Sequence, residues 1–153
     1  MKLRIIKKMQ QGSMLLEALI GILIFSMGIL AMVGLQAAAI SSVTEAKYRS
    51  DAAFFANQII GEMWVQRDDL ANKFRYPYGT SPTLAPWVSK VAASLPGIAG
   101  TTNRPSIMIS ACDVATTGCS VTVTLYWQPG NTANPDNPPP PRSFTQTAFI
   151  HNP

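Results

Sequence analysis

What is scarce in this chain narrows its chemistry first. Among 153 residues only 13 per cent are Asp, Glu, Lys or Arg, and there is one histidine, His151, third from the C-terminus. The only cysteines are Cys112 and Cys119, with no Cys or His cluster around them, so a metal centre lacks its ligand set. No phosphate loop or nucleophile elbow occurs. The adjacent acids Asp68 and Asp69 lie in a run of mixed charge and read as solvated groups. We therefore expect no catalytic residues, no cofactor and no metal, and not an enzyme. Two further absences shape the N-terminal half. Proline does not occur before Pro77, and no charged residue occurs from Ala18 to Thr44.

That uncharged stretch is framed by a distinctive sequence. Lys2, Arg4, Lys7 and Lys8 precede it, then Gly12-Ser13-Met14-Leu15-Leu16-Glu17, then the apolar run Ala18 to Ile40. As a helix that run is about 34 Å long, enough to cross a hydrocarbon core of about 30 Å. The basic residues all lie on its N-terminal side, which predicts a cytoplasmic N-terminus and a C-terminal part outside the cytoplasm. Glu17 falls at the membrane edge or just inside it. A carboxylate at the bilayer centre costs on the order of 3 kcal/mol, less near the interface, and such groups usually have a partner. The apolar run offers no cation, so the partner must come from outside the helix or from a chain end.

A basic head, a glycine, a glutamate five residues later and a long apolar helix resemble the class III leader of type IV prepilins and pseudopilins. The resemblance implies cleavage by a membrane prepilin peptidase between Gly12 and Ser13, N-methylation of the new Ser13 amine, and an assembly role for Glu17. In that family the glutamate pairs with the N-terminal amine of a neighbouring subunit. The implied fold is α+β and type IV pilin-like, a long N-terminal helix packed on a small antiparallel sheet. Its parts would be a leader over 1–12, a transmembrane and filament-core helix over 13–40, an amphipathic continuation over 41–66, and a periplasmic domain over 67–153.

Charge and cysteine usage agree with that layout. Four of the twelve basic residues lie in the leader, leaving eight against eight acids in the processed chain. A neutral chain gives no electrostatic support to direct nucleic-acid binding. An even cysteine count in an oxidising compartment predicts one disulfide, Cys112 to Cys119.

Taken in order, the helix pattern continues past the membrane. Ala52, Phe55, Ala56, Ile59, Ile60 and Met63 recur at spacings of three and four with polar residues between them. A helix from Ser13 to Gln66 would be about 80 Å long. Gly21 and Gly28 share a face where another helix could approach, and Gly34 is a soft point. From Arg67 to Thr83 mixed charge gives way to Pro77, Gly79 and Pro82, a turn or helix end. Pro86 to Leu95 reads as a short helix started by its proline and ended by Pro96-Gly97. Residues 106–111, 121–127 and 144–150 read as strands, the first two joined as a hairpin by the disulfide loop. Trp64, Trp87 and Trp127 are expected to pack in the core or at its rim. Gln128 to Arg142, with Pro138 to Pro141, reads as a stiff surface loop, with docking to an aromatic groove as the rarer use. His151 falls in a loose tail.

Within the pilin class, Ile24-Phe25-Ser26-Met27-Gly28-Ile29-Leu30, Gly34-Leu35-Gln36, Tyr48-Arg49-Ser50 and the strand end Leu125-Tyr126-Trp127 resemble the PilV family of type IV pilus modification proteins. The likeness is strong over 9–66, patchy to 97 and generic beyond. It implies a minor pilin that initiates or caps a fibre used for adhesion, twitching motility or DNA uptake. The implied partners are the prepilin peptidase, the major pilin and other minor pilins, an inner-membrane assembly platform and often a tip adhesin. The chain departs from the family at Ser13, where phenylalanine is usual, and at Gly34, where many major pilins carry proline. Three other readings stay open. These are a minor pseudopilin of a type II secretion system, a secreted protein cut after Ala37-Ala38-Ala39, and a membrane-tethered periplasmic binding module or enzyme. Mass spectrometry of the protein from its own membranes tests the leader reading. The expected mature N-terminus is Ser13; a chain beginning at Ile40, or one retaining residues 1–12, overturns it.

Overall fold

The computed structural model describes residues 11–98, 103–113, 118–128 and 139–151. The basic residues Lys2, Arg4, Lys7 and Lys8 lie outside these, as does most of the Gln128–Arg142 loop. The element order is α1 (Gln11–Val65), α2 (Leu70–Phe74), α3 (Leu84–Ser94), β1 (Ser106–Asp113), β2 (Gly118–Trp127) and β3 (Arg142–His151). The chain falls into two units, residues 1–44 and 45–153, with α1 contributing to both. A long apolar helix and a small antiparallel sheet give the α+β layout that the sequence pattern predicts.

In the first unit α1 has no covered face. Every residue from Ser13 to Val43 is exposed. It is the one helix among the described residues long and apolar enough to cross a membrane, judged by length and composition. Helix α1 runs unbroken through Gly34, so that position is not a break. A methyl group added at Gly21 or Gly28 would meet nothing within 4 Å. Two hydroxyls of this region bond to their own helix: Ser26 donates to the Ile22 carbonyl at 2.7 Å and Thr44 to that of Ile40 at 2.8 Å.

In the second unit α1 becomes amphipathic, and the change in sequence period is the cause. Ala52, Phe55, Ala56, Ile59, Ile60 and Met63 are all buried, while Phe54, Asn57, Gln58 and Gly61 face outward. The sheet has the order β1-β2-β3, antiparallel throughout. Along β2, Val121, Val123, Leu125 and Trp127 are buried and alternate with half-exposed Ser120, Thr122, Thr124 and Tyr126. The buried set joins the α1 residues in one core. The outer face carries hydroxyl pairs, Thr122 with Thr147 at 3.3 Å and Thr124 with Thr145 at 3.1 Å.

Three local readings of the sequence need correction. Helix α3 begins at Leu84 rather than Pro86, because the Leu84 amide closes on the Ser81 carbonyl at 3.1 Å and the Trp87 amide on that of Thr83 at 3.1 Å. Pro86 is then third in the helix, still within the first turn, where an amide has no intrahelical acceptor. Helix α2 replaces part of the turn expected at 67–83. It forms because Leu70 and Phe74, four apart, both bury in the core, after Asp69 takes a left-handed conformation at φ 59°. His151 is not in a loose tail; it ends β3 opposite Gly118. Beyond α3, Gly97 has φ +80°, which lets the Gln128 amide reach the Pro96 carbonyl at 2.9 Å. Of the tryptophans, Trp87 and Trp127 are buried and Trp64 is largely exposed.

Ile59→Ala should cost about 2–4 kcal/mol in chemical denaturation, the usual penalty for truncating a core isoleucine. Tyr78→Ala, at an exposed ring, should stay within about 0.5 kcal/mol. Equal effects would place the core elsewhere.

Candidate functional site

The residues that the sequence singles out do not gather into a pocket. Gly12, Ser13 and Glu17 all lie in the first two turns of α1, with Ser13 and Glu17 four apart and so on one face. Glu17 has no ion-pair partner among the described residues, whose salt bridges are Lys73–Asp68 and Arg142–Glu45. The next cation along the sequence is Lys47, in the other unit. Glu17 is the one ionisable side chain between Ser13 and Thr44, and leucine and alanine flank it. Chemically this is a solitary carboxylate on an apolar rod.

The head of the molecule is tied to α1 at Glu45, the first charged residue after the apolar run. Arg142 Nη1, at the start of β3, lies 2.9 Å from Glu45 Oε1. Trp127 Nε1, at the end of β2, donates to Glu45 Oε2 at 3.5 Å. One carboxylate thus holds the ends of two adjacent strands. Sequence reading missed this group; its only signal was its place at the end of the uncharged stretch. A second tie is buried, where Trp87 Nε1 donates to the Phe55 carbonyl at 3.0 Å and pins α3 to α1.

Cys112 and Cys119 are joined as a disulfide, with Cα atoms 4.2 Å apart. It staples the β1–β2 hairpin beside an irregular step in register between Ser110 and Asp113. Residues 114–117, within the loop, lie outside the described residues. Pro139 accepts a hydrogen bond from Gln128 Nε2 at 2.6 Å, and Gln128 Oε1 accepts one from Asn103 at 3.0 Å. The part of the proline run that is described therefore packs on its own domain.

Elsewhere the surface offers little chemistry. A cleft of about 130 Å³ lies between α1 and α3, lined by Gln58, Ile59, Glu62, Thr83, Trp87 and Lys90 among others. The Glu62 carboxylate in it is already bonded to the Gln66 amide. Asp68 accepts from Lys73 Nζ at 2.7 Å, and that hydrogen bond holds its carboxyl below the usual carboxylate range. The pair is solvent-screened and adds little to stability. No group of three His, Cys, Asp or Glu that could hold a metal occurs among the described residues.

No protein-family model, curated protein or solved structure matches this chain. The arrangement itself must carry the functional argument.

The paired substitution Cys112→Ala/Cys119→Ala should lower unfolding stability by about 2–3 kcal/mol, the chain-entropy value for so short a loop. Denaturation with and without reductant checks it: reductant should shift the native chain and leave the variant unmoved.

Proposed function

We propose that this chain is a minor pilin, processed after Gly12, that takes part in initiating or capping a type IV pilus. The observation that carries the reading is α1 itself. Residues 13–43 are exposed at every position and bear one charge, Glu17, yet the same helix goes on to contribute Ala52, Phe55, Ala56, Ile59, Ile60 and Met63 to the core of a folded head. An apolar rod of this kind needs lipid or other apolar helices around it. Transfer from a bilayer into a bundle of like helices exchanges one apolar environment for another at little hydrophobic cost. What the bundle adds is a set of chain ends at the depth of Glu17.

Removal of residues 1–12 has two physical consequences in this scheme. It strips Lys2, Arg4, Lys7 and Lys8, the charges that hold the N-terminus at the cytoplasmic face. It also exposes the Ser13 amine, a cation that Glu17 of another subunit can pair with. A carboxylate that is costly when unpaired in an apolar layer then sets the axial register of the subunits. The head remains outside the membrane, where the Cys112–Cys119 bridge is stable.

The test is incorporation into fibres sheared from the producing cell. Glu17→Ala and Gly12→Val should each reduce the chain in that fraction by about tenfold or more, the effect of losing an ion pair in an apolar layer. The head should keep its native disulfide and tryptophan fluorescence. Glu17→Ala protein in sheared fibres at wild-type abundance overturns the assembly role.

A further inference from the structure

The cleft between α1 and α3 carries charge that its own walls do not use. Its apolar part is formed by Ile59, Pro86 and Trp87. Ile59 and Trp87 belong to the core, and the Trp87 indole is held by its bond to the Phe55 carbonyl. That floor is fixed by the packing of the head. Two charged side chains stand over it, Glu62 from α1 and Lys90 from α3.

Neither forms an ion pair among the described residues, where the salt bridges are Lys73–Asp68 and Arg142–Glu45. The Glu62 carboxylate accepts from the Gln66 side-chain amide. A neutral amide orients the carboxylate but leaves its charge unmatched. The Lys90 ammonium and the Gln58 amide, both lining the cleft, have no hydrogen bond within the described residues. The Thr83 hydroxyl, the remaining polar group of the wall, is shared with that of Ser81 at 2.6 Å. A carboxylate and an ammonium thus line one small cleft without closing on each other.

The signs of these charges select the ligand. An anion would meet Lys90 and be opposed by Glu62; a cation would meet Glu62 and be opposed by Lys90. A wholly apolar molecule would desolvate both charges and return nothing. A molecule with both charges and a short apolar body satisfies both walls and the floor. The space, about 130 Å³, is worth about four water molecules, the bulk of a small amino acid.

We propose that this cleft binds a free amino acid with a small apolar side chain in its zwitterionic form. Its carboxylate meets Lys90 and Gln58, its ammonium meets Glu62, and its side chain lies on Pro86 and Trp87.

The probes are L-valine, isovalerate, valinamide and the dipeptide valyl-valine. Isovalerate keeps the carboxylate and lacks the ammonium. Valinamide keeps the ammonium and lacks the carboxylate. The dipeptide carries both charges but sets them one residue, about 3.5 Å, further apart, which separates a free amino acid from a peptide as the source. Each is titrated against the isotope-labelled full-length chain in detergent micelles, and amide and indole NMR shifts are followed. L-valine should give saturable shifts at Gln58–Glu62 and along α3, with β1, β2 and β3 unmoved. It should bind about tenfold more tightly than each of the other three.

Two variants assign the charges. Lys90 is exposed and Glu62 half-buried outside the core, so Lys90→Gln and Glu62→Gln should keep the native fold. Lys90→Gln should weaken L-valine about tenfold and leave valinamide unchanged. Glu62→Gln should weaken L-valine about tenfold and leave isovalerate unchanged. A merely structural role for either side chain gives no such crossover. The proposal is overturned by the absence of saturable shifts with L-valine at about 10 mM. It is equally overturned if any other probe binds as tightly as L-valine, or if either variant binds L-valine as the native chain does. The cleft lies wholly in the second unit, and no readout depends on cleavage at Gly12 or on fibre entry, so the two proposals fail separately.

Discussion

Apolar surface that its own chain does not cover is the constraint on which the rest depends. Each leucine, isoleucine or phenylalanine left in water forgoes roughly 1.5–3 kcal/mol of burial. Helix α1 presents Leu15, Leu19, Leu23, Ile24, Phe25 and Leu30 with more than half of each exposed. On the proposed reading the first unit sits in an apolar surrounding, where its polar groups need partners. Ser26 and Thr44 are satisfied within the helix. Glu17 has no ion-pair partner among the described residues, and a carboxylate cannot be satisfied by an intact helix's own carbonyls, because it only accepts.

The head solves a different problem with the same helix. A three-stranded sheet cannot stand alone, since one face must be covered. Helix α1 supplies that cover once its apolar residues shift from all-round to one-sided, and α3 closes the side through Trp87. Glu45 marks the changeover. Its carboxylate meets Arg142 and Trp127 in a partly exposed setting, where the energy gained is modest. Its larger effect is positional: it sets where along α1 the strand ends sit.

What was legible in the sequence follows from which interactions are local. The helix over Ser13–Gln66 and the three strands could be read because side-chain period alone distinguishes them. The Cys112–Cys119 bridge could be read because two cysteines expected in an oxidising compartment leave each thiol a single partner. Helix α2 could not, since five residues around Leu70 and Phe74 have too little pattern, and burial in the core decides them. The Glu45–Arg142 pair joins residues far apart in sequence, and no local rule selects that partner for that acid. The place of His151 in β3 was lost for a related reason, because pairing with Gly118 overrides the looseness expected near a chain end. For Glu17, sequence and structure give the same information: position, isolation and, among the described residues, no ion-pair partner.

The distribution of charge connects the two halves of the molecule. Arg67, Asp68, Asp69, Lys73 and Arg75 cluster around α2, and from that cluster Arg75 reaches over to the Ile109 carbonyl and seals β1. Across the sheet, β3 between Arg142 and His151 is uncharged. Charged groups resist desolvation, so a surface that carries them opposes close packing by another chain. The residues from Ala18 to Thr44 show the same uncharged character. The N-terminal rod, uncharged over that stretch, is also the surface whose apolar side chains are left exposed. Under the proposed function that coincidence suits a subunit of a larger assembly, because a surface that is to be covered only on assembly has to be kept free of charge beforehand.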